Sequence, residues 1–369
     1  MKKFLALLLA LMMVLSLAAC AKDEAPADDA ADAPADAPAD APADDAADAP
    51  ADAPADGEIA LSDELQAIYD KIRFKPVANT TGESLKIVTI CVMNNSFWFD
   101  VVEGIDDAIK LFADPAFNTE VEMVTIEAHD GQLYAEAIDN CVTMQYDAIC
   151  TVGTSEAIIP AVDRATEAGI PVYTYNSDVA DSTRVAFVGQ DLYAAGQVAG
   201  QTMADLIGGK GKVAVITGYF TVPAHEERRL GAQSIFDQYP DIEIVAEVED
   251  HDSSDEGYTF TKDFITANPD LAGIIVHAGG QDGVTKALAD LNIQGEVKVV
   301  CYDFMDEIID AIYENRIQAT IGQDPYAQGM DPVCLAYNHL ITGEPEITGG
   351  AFTNADVVTP DNVAEMFPR

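Results

Sequence analysis

The stretch best equipped for chemistry is residues 87–104, which read I-V-T-I-C-V-M-N-N-S-F-W-F-D-V-V-E-G. An amide such as Asn95 both donates and accepts hydrogen bonds, and the flat rings of Phe97 and Trp98 can stack on an apolar face. These residue types therefore fit a ligand site that hydrogen-bonds and stacks. The competing interpretation makes the two aromatics core residues, because aromatic side chains are usually buried.

A strand and a helix must position these residues. Residues 87–92 form an apolar, β-branched run that is typical of a strand buried on both faces. Apolar residues then recur at spacings of three and four from Val101 to Phe112, which is the pattern of one helix face. The polar residues 94–96 are thus predicted to lie at the carboxyl end of a buried strand, where open α/β sheets bind ligands.

Strand-like and helical patterns alternate from about residue 84 onward. Strands are predicted at 86–92, 121–126, 147–152, 171–175, 185–188, 212–217, 242–248, 272–277, 297–301 and 317–322. Helices are predicted at 97–112, 131–145, 156–168, 191–207, 225–238, 257–267, 281–290, 305–314 and 326–341. Such alternation predicts parallel sheets covered by helices on both faces. Because about 310 residues exceed one comfortable core, the two successive series predict two lobes, which the irregular tail completes.

The first 57 residues have the features of a targeting segment and a tether. Lys2 and Lys3 precede an apolar run at 4–17, and the ending L-A-A-C at 17–20 looks like a bacterial lipobox. That likeness implies cleavage before Cys20 and lipidation of its thiol, with a plain secretory signal as the alternative. Residues 21–57 repeat Ala, Asp and Pro and cannot bury enough apolar surface to fold. We therefore expect a globular domain held by a lipid anchor on the extracytoplasmic face of the cell membrane.

Charge and motifs exclude several function classes. The chain carries a net charge of −45, and residues 58–369 contribute −36 of it, from 52 acidic and 16 basic side chains. This balance argues against binding nucleic acid or anionic lipid. No H-E-x-x-H or G-x-S-x-G motif occurs, so the sequence predicts neither an enzyme nor a cofactor. The acidic run at 250–256 is interpreted as a solvated loop before a helix, and a calcium site there stays open.

Six cysteines are present, one of which is the lipobox Cys20. The other five show no close C-x-x-C spacing, which is poor evidence for a disulfide framework or a metal site. We expect them to be buried free thiols, with a single bridge as the open alternative. They are Cys91, Cys141, Cys150, Cys301 and Cys334.

Four motifs follow one another between residues 84 and 357. They are N-N-S-F-W at 94–98, G-I-P-V-Y-T-Y-N-S-D at 169–178, H-E-E-R-R-L-G at 225–231, and V-V-C-Y-D at 299–303 with A-T-I-G-Q at 319–323. In these motifs the chain resembles the type I periplasmic binding proteins of the ribose and galactose group, which are the sugar receptors of ABC transporters. The resemblance implies an α/β fold of two Rossmann-like lobes with parallel sheets, joined by a three-stranded hinge.

The resemblance also implies domain bounds and a set of ligand contacts in the cleft. An extension at 58–83 would precede a first lobe at 84–189 plus 324–350 and a second lobe at 190–323 plus 351–369. Two aromatics would stack on the ligand and eight polar residues would hydrogen-bond it: Phe97 and Trp98, then Asn95, Asn176, Asp178, Glu226, Arg228, His277, Asp303 and Gln323.

Alternatives stay open at several of these positions. Arg228 is equally consistent with a salt bridge or a helix-end role, and His277 with a core histidine, with Gln281 and Asp282 competing for its contact. Asp178 reaches the site only if the chain turns after its strand. Where ribose-type members commonly carry an Asp-Arg pair, this chain has Asn176 and Ser177, so the bidentate Arg fork is absent and the sugar is not identified.

The resemblance implies a monomeric receptor that delivers a monosaccharide or polyol to the permease subunits of an ABC importer. A second hypothesis is a receptor of the same fold that presents a small polar ligand to a membrane sensor kinase. A third, an extracellular hydrolase, is disfavoured because no catalytic constellation is found. No metal is implied.

Overall fold

The fold is taken from a computed structural model, which describes residues 59–93 and 96–369. The predicted lipidation site Cys20, the tether at 21–57 and the ligand contact Asn95 lie outside the described residues.

The first half of the chain alternates strands and helices after one leading helix. Its elements are α1 Asp63–Lys71, β1 Leu85–Val92, α2 Phe97–Phe112, β2 Thr119–Ile126, α3 Gly131–Met144, β3 Ala148–Val152, α4 Ile159–Glu167, β4 Val172–Tyr175 and β5 Ala186–Gln190. Every residue of β3, β4 and β5 is buried, whereas the edge strand β2 alternates apolar residues with acidic ones. These continuous buried runs are what a parallel sheet covered on both faces requires.

The second half repeats the pattern. Its elements are α5 Leu192–Leu206, β6 Lys210–Thr217, α6 Pro223–Phe236, β7 Asp241–Glu249, α7 Ser254–Ala267, β8 Leu271–Val276, α8 Gln281–Asp290, β9 Lys298–Tyr302, α9 Asp306–Tyr313, β10 Ala319–Ile321, α10 Pro325–Thr342, β11 Gly349–Thr353, β12 Val357–Val358 and α11 Val363–Met366. The predicted tail proves more regular than expected, because it contains two short strands and a helical turn.

The strands form two six-stranded sheets, one in each lobe. The first has the order β11-β5-β4-β3-β1-β2 and is parallel throughout. The second has the order β12-β10-β9-β8-β6-β7 and is parallel except for β12, which runs antiparallel to β10 at one edge. The prediction of two α/β lobes is thereby confirmed. The first strand of each series, β1 or β6, has the second strand on one side and the third on the other, so the direction of winding reverses there. Sheets of this kind form ligand crevices at that point.

The chain passes between the two lobes three times. It crosses after β5, between β10 and α10, and between β11 and β12. The crossings are tied together, since Gln190 Nε2 donates to the Gly322 carbonyl at 2.6 Å and Thr353 Oγ1 donates to the Gln323 carbonyl at 2.9 Å. The last crossing follows Thr353, a few residues beyond the expected 350, because β11 stays paired with β5 along its whole length.

Candidate ligand-binding site

A cavity of about 160 Å³ lies between the lobes. It is smaller than the ~300–1,000 Å³ clefts that hold drug-sized ligands, so it suits a small molecule. Both lobes line it: Phe97, Trp98, His129 and Asn176 from the first, His225, Arg228, Asp252, Gln281, Asp282, Asp303 and Met305 from the second, and Gln323 from a crossing. The wall thus combines two aromatic rings with amide, carboxylate, imidazole and guanidinium groups.

The lobes touch one another around this cavity. The Ala224 backbone N–H of the second lobe donates to Ser177 Oγ of the first at 3.0 Å. Ser96 Oγ donates to Met305 Sδ at 2.9 Å, and the rings of His129 and His225 pack edge to face with centroids 6.0 Å apart. A molecule inside the cavity would therefore contact both lobes at once.

The aromatic wall comes from the first turn of α2. Phe97 and Trp98 pack edge to face with ring centroids 5.2 Å apart, and the Trp98 centroid lies 6.2 Å from that of His129. Trp98 is only 2% exposed, yet it lines the cavity. The two interpretations left open by the sequence are therefore compatible, because one face of the ring can belong to the core while another faces a ligand.

Arg228 is fixed at the hinge by hydrogen bonds. Its Nη2 donates to Gln190 Oε1 at 2.8 Å and to Gln323 Oε1 at 2.7 Å, so it joins two of the crossings. Its guanidinium lies over the Tyr302 ring, 4.2 Å from the centroid. Burial lowers the pKa of Arg228. Among the described residues it forms no salt bridge, so it acts as a hydrogen-bonded cation in the cavity wall.

The backbone of Arg228 is held just as closely by α5. A Cβ placed on Gly196 would lie 2.1 Å from the Arg228 carbonyl oxygen, so only glycine permits this approach of α5 to α6. The position of the cationic group therefore depends on helix packing as well as on the hinge amides.

Asn176 and Asp303 occupy equivalent places in the two lobes. Each directly follows the fourth strand of its series, β4 or β9, and each adopts a positive φ, 64° for Asn176 and 78° for Asp303. Non-glycine residues rarely adopt this conformation, and such outliers concentrate at functional sites. The two turns bring one amide and one carboxylate into the cavity from opposite lobes.

The carboxyl of Asp303 is buried and titrates high. Gln323 Nε2 donates to Asp303 Oδ1 at 2.6 Å. Burial raises the pKa of Asp303 to about 6, although the charge of Arg228 and the Gln323 hydrogen bond both oppose that rise. At neutral pH this group is therefore a charged acceptor with capacity for further hydrogen bonds.

The ligand contacts implied by the resemblance include Asp178 and Glu226, but both residues lie away from the cavity wall. Asp178 accepts from Thr174 Oγ1 at 2.7 Å and forms a bidentate ion pair with Arg184, because the chain turns at Asn176 and carries Asp178 past the site. Glu226 forms a bidentate ion pair with Arg229, with Nε 2.8 Å from Oε2. We leave both out of the proposed ligand contacts.

His277 lies beneath the cavity floor rather than in it. It is fully buried, its carbonyl accepts from Arg228 Nη1 at 3.3 Å, and burial lowers its pKa to about 3. His277 is therefore a core histidine but not a satisfied one, because both of its ring nitrogens lack a hydrogen-bond partner among the described residues. Gln281 and Asp282, which compete for its contact, line the cavity instead.

The cavity is also lined by His129, His225 and Asp252, to which the sequence analysis assigned no ligand contact. Burial lowers the pKa of His225 to about 4 and also lowers that of His129, so both are neutral hydrogen-bonding groups at neutral pH. His129 and Asp252 follow the strands β2 and β7, so the rule that ligands bind at strand ends would have found them.

The acidic run at 250–256 is only partly the solvated loop that we expected. Ser253 caps α7 by accepting from the Glu256 N–H at 3.3 Å, as expected for a helix start. Asp250, however, is fully buried, and Asp252 Oδ1 accepts from the Gly279 N–H at 2.9 Å. Within the described residues no group of three or more His, Cys, Asp or Glu could hold a metal ion.

The five cysteines that the structure describes are unpaired and buried, as predicted. Burial raises the pKa of Cys91 to about 12 and of Cys141 to about 11, so these thiols are protonated and unreactive at neutral pH.

Stability is expected to fall between about pH 6.5 and 8. Burial raises the pKa of Asp250 to about 8 and of Asp331 to about 7, whereas both carboxyls titrate near ~4 in an unfolded chain. In this window the folded protein binds more protons than the unfolded chain, so the free energy of unfolding decreases as the pH rises. The buried histidines offset part of this decline, because their imidazoles are neutral in the folded protein but still half protonated in the unfolded chain at about pH 6.5.

The expected net loss is on the order of 1 kcal/mol over that window. Urea denaturation at three pH values measures it. The Asp331→Asn variant is the control, because its slope with pH should be shallower. A free energy of unfolding that is flat or increases across the window contradicts the prediction.

Comparison with known proteins finds a matching family and several similar sugar-binding proteins. A family profile described as "Periplasmic binding protein domain" matches residues 87–345. The xylose/arabinose-binding protein XylF of Sulfolobus acidocaldarius is 26% identical over 292 residues, which cover 74% of this chain and 70% of XylF.

No helix in the described part of the chain is long and apolar enough to cross a membrane.

Two solved structures are also similar. The crystal structure of GanP, a glucose-galactose binding protein from Geobacillus stearothermophilus, matches at 25% identity with a TM-score of 0.70, covering 78% of this chain and 100% of GanP. A chain in the structure of the XylFII-LytSN complex matches at 26% identity with a TM-score of 0.67, covering 76% of this chain and 99% of that chain.

Proposed function

The chain belongs to the periplasmic binding protein family, and on that basis we propose that it captures a monosaccharide or polyol between its lobes and delivers it to an ABC importer. Its relatives support a sugar-binding substrate-binding protein, which is a transport component and not an enzyme. Delivery to permease subunits and the neutral, hydroxyl-rich ligand are the parts that we propose.

The observation that carries the proposal is the composition of the cavity wall. A sugar ring has apolar C–H faces and a rim of hydroxyls. Phe97 and Trp98 supply flat apolar surface, while Asn176, Asp303 and Arg228 supply donors and acceptors from both lobes. Buried polar groups of this kind select ligands that can satisfy them.

Ligand capture would act by stabilising the closed arrangement. A sugar in the cavity contacts both lobes, so it binds the closed state more tightly than an open one and shifts the population toward it. Because the three crossings are short and linked by Gln190, Gln323 and Thr353, we expect the lobes to move as rigid bodies about them.

A thermal-shift screen tests the ligand class. The full chain is heated with monosaccharides, polyols, nucleosides or amino acids. A ligand present at ~100 times its dissociation constant adds ~2.7 kcal/mol of stability, which raises Tm by a few degrees. Stabilisation by sugars or polyols supports the proposal. Stabilisation by nucleosides or amino acids alone overturns the ligand class and keeps the family.

Sugar affinity is expected to fall as the pH drops through about 6, the pKa of Asp303. A ligand hydroxyl donates more strongly to the charged carboxylate than to the protonated acid, so binding favours the deprotonated form. At pH 5 the association constant should be lower by up to about tenfold than at pH 7. Calorimetric titration at the two pH values measures this ratio, and an Asp303→Asn variant should lack it.

We also propose that the protein acts as a monomer on a lipid anchor at Cys20. The L-A-A-C ending at 17–20 and the Ala/Asp/Pro tether at 21–57 support this proposal. Labelling of cells with a radioactive fatty acid should mark the wild-type chain and not a Cys20→Ala variant, which should be released from the membrane. Light scattering of the purified protein measures its molar mass and so tests whether it is a monomer.

A second candidate function is presentation of the ligand to a membrane sensor kinase. The solved XylFII-LytSN complex supports it only to the extent that a protein of this fold forms a complex with a second protein. Deleting the gene for this protein distinguishes the two functions. Loss of sugar uptake favours delivery to an importer, and loss of a transcriptional response with uptake intact favours presentation to a sensor.

A further inference from the structure

A second groove lies beside the hinge and shares no lining residue with the ligand cavity. Its volume is about 430 Å³, which is within the ~300–1,000 Å³ range of small-molecule sites. Both lobes contribute apolar surface to it: Ile159, Phe187 and Phe352 from the first, and Leu192, Tyr193 and Pro223 from the second. The groove is therefore a candidate binding site of its own.

Two phenylalanine rings form an aromatic platform in this groove. Phe187 lies on β5 and Phe352 on the neighbouring β11, with ring centroids 6.5 Å apart. Each ring lies over a glycine of its own strand. A Cβ on Gly189 would lie 2.6 Å from Phe187 Cζ, and one on Gly350 would lie 2.4 Å from Phe352 Cζ. The two glycines therefore leave space for both rings on one face of the sheet.

The aromatic platform is partly open to solvent. Phe352 is 54% exposed, and Tyr193, which also lines the groove, is 40% exposed. Phe187 is buried, but it packs against Leu192 and Val222 of the second lobe rather than within the core of the first. Large apolar side chains that are grouped and exposed in one groove indicate a surface that binds something.

The groove is also acidic. It is lined by four exposed carboxylates, two from each lobe: Glu156 and Asp181, then Asp191 and Glu227. Among the described residues none of the four forms an ion pair. A fifth carboxylate, Asp178, is already paired with Arg184, and within the described chain no lysine or arginine lines the groove. Its negative charge is therefore available to a cationic ligand.

Charge decides which occupant fits the groove. The tether at 21–57 is itself rich in aspartate and residues 58–369 carry −36, so neither the tether nor a second copy of the chain suits an acidic groove. Ammonium groups pair with carboxylates and are attracted to the faces of aromatic rings. Because two carboxylates stand on each lobe, a ligand with two ammonium groups can pair with both lobes while its methylene chain covers the aromatic platform.

We propose that the groove binds a small organic dication, an aliphatic diamine or polyamine, and that this ligand stabilises the closed arrangement of the lobes. The groove adjoins the contact between Ser177 Oγ and the Ala224 N–H, since the neighbouring residues Asp178 and Pro223 both line it. Opening the cleft at this contact would separate the two walls of the groove. A ligand that touches both walls therefore favours the same closed state as the sugar, so the two ligands should bind with positive coupling.

Calorimetric titration of the full chain with putrescine and spermidine at low salt tests the binding. Wild type should bind one molecule per chain in a saturable manner. Combining Glu156→Gln with Glu227→Gln removes one carboxylate from each lobe and should weaken binding about 5-fold or more. The matched control combines Glu167→Gln with Asp263→Asn, which remove the same charge from exposed positions of the two lobes outside the groove. This control should keep the affinity of wild type.

Phe352→Ala tests the aromatic platform. Loss of the ring should weaken putrescine binding by about 2- to 5-fold, and the fold should persist because Phe352 is more than half exposed. Phe99→Ala is the control, because Phe99 is 63% exposed on α2 and lies outside the groove. Mg²⁺ at the same ionic strength should not displace putrescine, since it has no methylene chain to cover the rings.

Binding that weakens equally in groove and control variants, or that Mg²⁺ abolishes, belongs to the acidic surface at large and overturns the inference. Absence of saturable binding, with or without a sugar that stabilises the protein, also overturns it and leaves the proposed function standing. The coupling alone rests on the proposed sugar-binding function. Saturating putrescine should raise sugar affinity about 5-fold, and an unchanged sugar affinity contradicts stabilisation of the closed state.

Discussion

Replacing Asp303 by Asn is expected to weaken sugar binding by about 10- to 100-fold, the cost of a lost hydrogen bond to a charged acceptor. Asn keeps the side-chain shape and tolerates the φ of 78° at this position, so the fold should persist. Alanine is the poorer test, because it would add backbone strain at a positive φ.

Calorimetric titration with the sugars that stabilise wild type measures this loss. Asp310→Asn is the control, because Asp310 is exposed on α9 and its replacement should leave affinity unchanged. Equal affinity in wild type and Asp303→Asn would remove the carboxylate from the proposed binding site.

Replacing Trp98 by Leu is expected to lower affinity by about 5- to 30-fold, because leucine keeps apolar volume but offers no flat face for stacking. Trp98→Phe should lose much less. The control is Phe112→Leu on the same helix, which contacts Phe117 and Tyr337 at centroid distances of 5.4 and 4.8 Å, away from the cavity.

The two aromatic positions should separate core packing from ligand stacking. Phe112→Leu should lower Tm and leave affinity intact, whereas Trp98→Leu should lower both. If Trp98→Leu binds sugar as wild type does, then Trp98 is a core residue alone and the stacking role is wrong.

The sequence predicted the architecture because the inner strands of both lobes are largely apolar runs, and the edge strands β2 and β7 still carry regularly spaced apolar residues. The predicted strand at 86–92 and helix at 281–290 correspond to Leu85–Val92 and Gln281–Asp290. The sequence analysis missed β11 and β12 because neither strand shows a periodic pattern. β11 has five residues, of which the first two are glycines, and β12 consists of two valines. The helix α1 lay in an extension for which no structure was predicted.

The candidate site was predicted less completely, because motifs do not give side-chain directions. The positive φ of Asn176 turns the chain so that Asp178 meets Arg184 instead of the cavity. Similarly, Glu226 and Arg228 share one helix, but their spacing of two places them on different faces, so Glu226 pairs with Arg229. His129 comes from a loop whose approach to His225 depends on the contact between the lobes.

Fluorescence of Trp98 provides the most direct test of the central claim, that a sugar or polyol binds in the cavity between the lobes. Trp98 is the single tryptophan of the chain and lines that cavity. Selective excitation should give an emission change that saturates with each stabilising sugar, with a midpoint shifted to higher concentration in Asp303→Asn. A sugar that raises Tm without changing Trp98 emission would bind elsewhere and contradict the account.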